Sequence, residues 1–427
     1  MKEAVRYVST NRDLRGVEGI VPFTERVSFR EALLLGQAPD EGLFMPDRIP
    51  VLSPGEIRAF RGRPYREIAL FVALAFLEDE IGREDLRRIV DDSYDFPVPL
   101  ERAGEGTYLM RLDRGPTASF KDFAARMMAR LMSHFRGGDA RLNVLVATSG
   151  DTGSAVGDAF RGVEGIDVRI LYPRNEVSGR QKKQLDTIGG NVQALSIDGK
   201  FDDCQNLVKR AFADPAFERF HLTSANSINF GRILPQMIYY VYAYAELCGK
   251  DGRIVFSVPS GNFGDALGCE YARRMGLPVR KLVMATNEND EFPRFLDGGV
   301  YEKVSPSRAC LSNAMNVGHP SNLARFFDLY GGTVDRAGNV FRYPDRDEMR
   351  KHIFSVAVSD GETKETLREV YRRLGILLEP HGAVGWKGLE VFLEKERLGG
   401  DTAVVLETAH PAKFPGEIID LLGITPE

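Results

Sequence analysis

Short apolar segments alternate with longer amphipathic ones from about residue 143 onward, and no other feature of the sequence restricts the fold as strongly. The short segments are rich in β-branched or apolar residues, and their lengths suit buried parallel strands better than helices. They cover residues 143–148, 167–172, 191–197, 253–258, 280–286 and 402–407, and residues 234–247 and 264–275 are amphipathic segments between them. Because strand–helix alternation brings successive strands parallel, the pattern predicts an α/β fold with parallel sheets.

The first 98 residues have a different character. They contain helical stretches at residues 29–35 and 65–76, separated by the prolines Pro46, Pro50 and Pro54. We interpret them as an N-terminal region that covers the α/β core. With 427 residues, the chain is long enough for two or three packing units.

Composition argues against several classes of protein. The formal net charge of -5 is unusual for a nucleic-acid-binding protein, which carries a basic excess. The 4 cysteines include no Cys-x-x-Cys pair, so we expect neither a zinc site nor disulfides. The longest apolar run, residues 68–77, is about half as long as a membrane helix, and the N-terminus lacks an apolar signal core. We therefore expect a cytoplasmic protein that neither spans nor binds a membrane.

Two glycine-containing loops follow predicted strands and open helices, which is where α/β proteins bind ligands. One reads Pro259-Ser260-Gly261-Asn262-Phe263-Gly264, and the other reads Ser149-Gly150-Asp151-Thr152-Gly153. Glycine lets the backbone approach an anion closely, and the N–H groups at a helix start favour a phosphate. Taken alone, each loop is more simply a strand-to-helix turn, with Ser149 or Asp151 as a helix cap. Neither loop matches a nucleotide-binding motif.

Lys121 lies in an unusual setting for a lysine. A turn at Gly115 and Pro116 precedes it, and apolar residues at helical spacing follow it. The helix dipole disfavours a cation at a helix N-terminus, and burial lowers the pKa of an amine. The uncharged amine is the form that attacks an aldehyde to give a Schiff base. A surface lysine beside Asp122, with its charged end in solvent, is the plainer alternative for this stretch alone.

The predicted strand at residues 402–407 ends in Thr408-Ala409-His410-Pro411-Ala412-Lys413-Phe414. A hydroxyl at a strand end can hydrogen-bond a ring nitrogen without placing a charge beside it. A strand that simply stops at His410 and Pro411 explains the same residues without any ligand.

In this order, these stretches together resemble the threonine synthase family of the longer bacterial and fungal type. That family belongs to the fold type II pyridoxal phosphate enzymes, which are similar to the β subunit of tryptophan synthase. The resemblance extends over nearly the whole chain. Its motifs are Tyr7-Val8-Ser9-Thr10, Glu41-Gly42-Leu43-Phe44-Met45-Pro46, Gly115-Pro116-Thr117, Phe120-Lys121-Asp122-Phe123, Ser149-Gly150-Asp151-Thr152-Gly153, Asn226-Ser227-Ile228-Asn229, Gly231-Arg232-Ile233, Ser260-Gly261-Asn262-Phe263-Gly264, Asn287 with Asn289-Asp290, and Thr408 to Phe414.

The resemblance implies two parallel-sheet α/β domains plus the N-terminal region. We place the N-terminal region at residues 1–98, a smaller domain with the reactive lysine at 99–250, and a larger domain with the phosphate loop at 251–427. The implied cofactor is pyridoxal 5'-phosphate, held as a Schiff base by Lys121 and bound by Asp151, Ser260, Gly261, Asn262, Phe263, Gly264 and Thr408. The implied substrate-binding residues are Ser149, Thr152, Asn226, Ser227, Asn229 and Arg232.

The implied enzyme is a pyridoxal-phosphate-dependent lyase that converts O-phospho-L-homoserine and water to L-threonine and phosphate by β,γ-replacement. The guanidinium of Arg232 suits a phosphate or carboxylate of that substrate. Relatives of this type are monomers or homodimers, and the resemblance does not choose between them.

Three residues depart from the family's pattern. Glu407 precedes Thr408 where a small residue is usual, Asn316 replaces an aspartate, and Glu288 is uncommon. Glu407 leaves open whether its charge faces the cofactor. Three other functions also stay open: a related phospho-lyase or amino-acid dehydratase, a catalytically inactive amino-acid-binding paralogue, and a nucleotide-binding protein that uses the glycine loops.

Overall fold

The computed structural model describes residues 4–137 and 141–426. Its strands are β1 (Tyr7–Ser9), β2 (Phe44–Pro46), β3 (Leu100–Gly104), β4 (Thr107–Arg111), β5 (Leu142–Ala147), β6 (Ile166–Pro173), β7 (Val192–Ile197), β8 (Leu222–Ser224), β9 (Ile254–Pro259), β10 (Val279–Thr286), β11 (Thr333–Val334), β12 (Val340–Arg342), β13 (Ile353–Ala357) and β14 (Thr402–Glu407). Its helices are α1 (Phe29–Leu35), α2 (Pro54–Arg58), α3 (Tyr65–Leu77), α4 (Arg83–Ser93), α5 (Lys121–Arg136), α6 (Asp151–Phe160), α7 (Gly179–Asp186), α8 (Phe201–Ala213), α9 (Leu234–Leu247), α10 (Gly264–Arg274), α11 (Glu291–Gly298), α12 (Leu323–Leu329), α13 (Arg346–His352), α14 (Asp360–Leu374), α15 (Pro380–Lys395) and α16 (Pro415–Leu422).

Two sheets form the centre of the fold. The larger has the strand order β13-β10-β9-β14-β4-β3 and is parallel except for the pair β3 and β4. The smaller has the order β7-β6-β5-β8 and is parallel throughout. The predicted α/β fold is therefore confirmed, and each of the six predicted strands lies within a residue of its predicted ends. The sequence pattern missed the edge strands β3, β8 and β13 and the short strand β4.

Residues 100–111 do not follow the predicted division into a smaller and a larger domain. Their strands β3 and β4 fall by number in the predicted smaller domain, but β4 pairs with β14 and extends the larger sheet. β1 and β2 form a separate antiparallel pair in the N-terminal region. The domain boundaries at 98 and 250 stay a prediction.

Both faces of the larger sheet are buried, which explains why its strands are apolar without alternation. Ile254 and Phe256 of β9 belong to the extensive core that α9 and α10 share, whereas Val255 lies in a second core with Trp386 of α15. In β14, Val404 and Leu406 likewise face the first core, and Val405 faces the second. Side chains at successive positions of a strand therefore point to opposite helical layers.

The four cysteines Cys204, Cys248, Cys269 and Cys310 are free thiols. Within the described ranges, no three His, Cys, Asp or Glu side chains are grouped as metal ligands would be. No helix in those ranges has both the length and the apolar character that crossing a bilayer requires.

Arg325 on α12 connects β2 of the N-terminal region to the loop that follows β8 of the smaller sheet. Its guanidinium is fully buried and forms no ion pair with any described residue. Instead, it donates to the carbonyl oxygens of Phe44, Ser227 and Ile228 and to Asn322 Oδ1, at 2.6–3.0 Å. One cation thus holds β2, the loop at 227–228 and the start of α12 together.

We expect Arg325→Met to lower the free energy of unfolding by roughly 3 kcal/mol or more, because four buried oxygen acceptors lose their donor. The measurement is urea unfolding followed by fluorescence. The exposed Arg15 offers a matched control, since Arg15→Met at the surface should change stability by less than about 0.5 kcal/mol. Equal stabilities for the two variants would show that Arg325 does not hold these segments.

Candidate active site

A cavity of about 920 Å³ lies at the loops that follow the parallel strands. Residues at the ends of β5, β9 and β14 line it, together with the start of α5 and the segment at 313–316. Because parallel strands end at the same edge of a sheet, this is where an α/β fold places its ligand site. Of the residues predicted from the sequence, Lys121, Ser149, Asp151, Thr152, Asn226, Ser227, Arg232, Gly261, Asn262, Gly264 and Thr408 line this cavity.

The turn before α5 depends on Gly115 and Asp122. Asp122 accepts hydrogen bonds from the Thr117 N–H at 2.9 Å and the Thr117 hydroxyl at 2.6 Å, and these bonds stabilise the turn. A Cβ at Gly115 would lie 2.4 Å from Asp122 Oδ2, which explains the glycine. Burial raises the pKa of Asp122 to about 6, although its bonds to Thr117 oppose the shift.

Backbone hydrogen bonds fasten this turn to the end of β14. The Phe120 N–H donates to the Thr408 carbonyl at 2.8 Å, and the His410 N–H donates to the Ala118 carbonyl at 3.0 Å. Ser119 and Ala409 consequently form an antiparallel bridge. These bonds bring Lys121, the first residue of α5, beside Thr408 although 287 positions separate them in the sequence.

Lys121 points into the cavity with its Nζ 4.6 Å from the centre of the Phe120 ring. Burial lowers the pKa of its amine, and the charges of Lys413 and Arg232 act in the same direction. Asp151 and Glu379 oppose the shift without reversing it. The net effect shifts Lys121 towards the uncharged amine, which is the form that Schiff-base chemistry requires.

The loop between β9 and α10 forms an anion-binding cradle. Phe263 has a φ of 62°, and no side chain caps the N-terminus of α10. The N–H groups of the first turn of a helix have no acceptor within the helix and favour a phosphate. A Cβ at Gly261 would lie 2.9 Å from the Ala314 carbonyl oxygen and 3.0 Å from Met315 Cα, so no larger residue fits.

Ser260, Asn262 and Phe263 hold this cradle in place. The Ser260 hydroxyl donates to the Val258 carbonyl, and the Phe263 ring packs against Phe292. Neither Ser260 nor Phe263 lines the cavity with its side chain. Asn262 accepts hydrogen bonds at Oδ1 from the Ser321 N–H and hydroxyl, both at 3.3 Å. A phosphate would thus meet the backbone of this loop rather than its side chains.

Thr408 and Glu407 point to opposite sides of β14. Thr408 follows Leu406 in facing the cavity layer, and its hydroxyl donates to Glu379 at 3.5 Å. Glu407 follows Val405 in facing α15, where a Cβ at Gly382 would collide with its Oε2. Burial and, after it, the charge of Glu379 raise the pKa of Glu407 well above its usual value. The side chain of Glu407 does not face the site.

Asp151, the first residue of α6, is an ionised carboxylate at the cavity. Its Oδ1 is 2.6 Å from Lys413 Nζ and accepts a hydrogen bond from Gln181 at 3.0 Å. Burial works against ionisation, but Lys413 and Lys121 lower the pKa of Asp151 overall. Neither Ser149 nor Asp151 caps α6, contrary to the sequence-based expectation. Instead, Thr148 Oγ1 accepts from the N–H groups of Gly150 and Gly153.

Arg232 is a buried cation without a carboxylate partner in the described part of the chain. Its Nη1 donates to the Ala225 carbonyl at 2.8 Å, and its buried Nε has no hydrogen-bond partner there. Burial lowers its pKa to about 10, so it stays charged at neutral pH. Such a group suits an incoming phosphate or carboxylate.

Asn229 does not belong to the cavity lining. Its side-chain amide donates to the Leu33 and Ser224 carbonyls, and its Oδ1 accepts from the Gly231 N–H. The bonds to Ser224 and Gly231 shape the turn before Arg232, and the bond to Leu33 ties that turn to α1. We read Asn229 as part of the scaffold that positions Arg232.

Several residues at the cavity escaped the sequence analysis. Asp265 lies directly after Gly264, and its Oδ1 accepts from the hydroxyls of Tyr239 and Tyr240, both at 2.5 Å. Burial raises the pKa of Asp265 to about 6. His381 bridges Glu379, at 2.5 Å, and the Ala314 N–H, at 3.1 Å. The only sequence feature that could have indicated Asp265 was its position directly after a glycine loop. No feature of the sequence indicated His381.

Asn316 is another of the departures from the family pattern, and its side chain fixes the segment at 313–316 to neighbouring residues. Its Oδ1 accepts from the Asn287 amide at 3.0 Å and from the Cys310 N–H at 3.1 Å. An aspartate would accept the same two bonds, so the exchange leaves this contact intact. Glu288 Oε1 accepts from the Asp360 N–H at 3.4 Å, away from the cavity.

Comparison with known proteins agrees with this site. Residues 95–408 match the family model of pyridoxal-phosphate dependent enzymes, and residues 6–94 match that of the threonine synthase N terminus. A threonine synthase of Pseudomonas aeruginosa is 38% identical, covering 98% of this chain and 91% of its own.

Two solved structures are similar over almost the whole chain. The threonine synthase of Escherichia coli has a TM-score of 0.86 at 37% identity, covering 99% of this chain and 92% of its own. The pyridoxal-phosphate-bound threonine synthase of Brucella melitensis has a TM-score of 0.88 at 36% identity, with the same coverage. The chain therefore belongs to the threonine synthase family of pyridoxal-phosphate-dependent enzymes.

Proposed function

We propose that this chain converts O-phospho-L-homoserine and water to L-threonine and phosphate, with Lys121 as the lysine that carries the cofactor. The observation that carries this proposal is the position of Lys121. Its amine lies in one cavity with the uncapped start of α10 and the hydroxyl of Thr408. Those three features match the aldehyde, the phosphate and the ring nitrogen of pyridoxal phosphate.

The residues at the cavity fit that cofactor. The backbone of residues 260–264 would hold its phosphate, Thr408 would face the ring nitrogen, and Asp151 would lie on the side of the ring hydroxyl. Gly261 supports the assignment, because the space that a larger residue would need is filled by Ala314 and Met315. When bound, the cofactor supplies an electron sink that lets a proton leave the carbon next to the substrate amine.

Lys121 would also move protons during the reaction. The lowered pKa of its amine lets Nζ accept a proton from one carbon and return it to another near neutral pH. Arg232 would bind the phosphate or carboxylate of the substrate with its guanidinium, whose Nε has no hydrogen-bond partner among the described residues. Ser149, Thr152, Asn226 and Ser227 would surround the substrate from the smaller sheet.

The substrate is thus a small molecule, and its identity as O-phospho-L-homoserine is part of the proposal. The expected cytoplasmic location and the monomeric or homodimeric state stay predictions.

We expect Lys121→Ala to lower phosphate release from O-phospho-L-homoserine by roughly 10²–10⁴-fold or more, because one amine both holds the cofactor and moves the protons. The assay measures phosphate together with threonine. Lys364→Ala, at an exposed position of α14, is the matched control and should keep wild-type activity. Release of 2-oxobutyrate in place of threonine would identify a dehydratase. A colourless wild-type protein without a borohydride-reducible group would identify a binding protein.

We expect Arg232→Met to lower kcat/KM for O-phospho-L-homoserine by about 100-fold, because the substrate anion loses a desolvated, charge-assisted partner. Arg232→Lys keeps the charge but not the planar fork, so its loss should be intermediate. Steady-state kinetics give these values, and cofactor affinity serves as the internal control. If cofactor affinity falls as much as substrate affinity, Arg232 contacts the cofactor phosphate instead.

A further inference from the structure

Lys413 and Asp151 form a buried ion pair at the edge of the cavity. Lys413 ends the short 3-10 turn Pro411–Lys413 after β14, whereas Asp151 begins α6 beside the smaller sheet. The side chains are 5% and 2% exposed, with 2.6 Å between Lys413 Nζ and Asp151 Oδ1. A buried pair of this kind is costly to desolvate and is weak evidence of stabilisation by itself. It therefore calls for another explanation.

The pair lies directly against the reactive amine. Lys413 Nζ donates a second hydrogen bond, at 3.0 Å, to the carbonyl of Thr117 in the turn that leads into Lys121. Asp151 lines the same cavity as Lys121, and each charge acts on the other. No described side chain forms an ion pair with Lys121, although Asp151 is near enough to act on it.

Two other carboxyl groups near Lys121 already have hydrogen-bond partners. Glu379 binds His381 and the N–H groups at the start of α15. Asp265 is bound by two tyrosine hydroxyls. The groups that act on Lys121 from neighbouring elements are Asp151 of α6, Arg232 before α9, Asp265 of α10, Glu379 before α15 and Lys413 after β14. Asp122, the next residue of α5, is bound to Thr117.

We propose that Lys413 is a positioning residue that binds the Asp151 carboxylate and so prevents it from pairing with Lys121 as an ammonium ion. This inference rests on the proposed function, in which Lys121 must be an uncharged amine to take up the cofactor. Without Lys413, the Asp151 carboxylate would have Lys121 as its nearest cation. An ammonium held in that pair has no lone pair with which to attack an aldehyde.

The signs of the individual effects agree with this role. Burial lowers the pKa of Lys121, Asp151 raises it, and Lys413 lowers it. Loss of Lys413 removes one lowering effect and frees the group that raises the pKa. Loss of the Asp151 charge should do the opposite. If Lys413 only tied its turn to Thr117, its loss would reduce stability and leave the titration of Lys121 unchanged.

The test measures the protonation of Lys121 without using the reaction. The full chain, freed of cofactor, is treated with trace acetic anhydride across a pH series, and mass spectrometry quantifies acetylation of the Lys121 peptide. The exposed Lys364 serves as the internal reference in each sample. The variants are Lys413→Met, Lys413→Arg, which keeps the pair, and Asp151→Asn.

We expect Lys413→Met to lower the reactivity of Lys121 at pH 8 by about tenfold, equivalent to an upward shift of its midpoint by about one pH unit. Lys413→Arg should match the wild type, and Asp151→Asn should shift the midpoint downward. An unchanged or lower midpoint in Lys413→Met overturns the inference. If that variant does not fold, an unchanged midpoint in Asp151→Asn overturns it equally.

Borohydride reduction of the cofactor-loaded wild type, followed by peptide mapping, tests the proposed function separately. Cofactor attached elsewhere than Lys121 contradicts the proposed function, whatever the labelling shows. Cofactor on Lys121 together with unshifted labelling contradicts only the role of Lys413.

Discussion

The short backbone bridge between residues 118–120 and 408–410 is the contact on which the rest of the site depends. It fastens the start of α5 to the end of β14, and it places Lys121 and Thr408 side by side. Because β14 lies between β9 and β4 in the larger sheet, the same bridge sets the distance from Lys121 to the cradle after β9. Hydrogen bonds of the main chain are well suited to this task, since side-chain rotation does not affect them.

Around that bridge, the buried charges fall into two groups. Asp122, Asp265 and Glu407 are carboxyls whose pKa burial raises, to about 6 for the first two, and each accepts hydrogen bonds from protein groups. Arg232 stays a cation and has no carboxylate partner among the described residues. A cavity with an unmatched cation and an uncapped helix start attracts anions. That agrees with the proposed function, in which the cofactor and the substrate both carry a phosphate.

The sequence was most informative where local pattern and chemistry coincide. Runs of β-branched residues marked the buried strands, because a strand covered on both faces cannot be polar on either. The glycine loop before α10 and the lysine after Gly115-Pro116 were visible because each needs a particular backbone. The strand β3 was not visible because Glu101 and Arg102 interrupt its apolar pattern, and β13 was not visible because it begins directly after α13 without a turn between them. Asn229 belongs to a motif of the site, but its side chain binds backbone groups instead of lining the cavity. No sequence pattern distinguishes a substrate-binding asparagine from one that binds the backbone.

The two ends of the cofactor site are joined by contacts that only the folded chain reveals. Thr408 donates to Glu379, Glu379 binds His381, and His381 accepts from the Ala314 N–H. The carbonyl of Ala314 in turn occupies the space that a Cβ at Gly261 would need. A shift of the cradle at Gly261 would therefore displace the segment at 313–316 and, through His381, the carboxylate that orients Thr408. The phosphate end and the ring end of the site are held as one unit, which keeps the amine of Lys121 at a constant position between them.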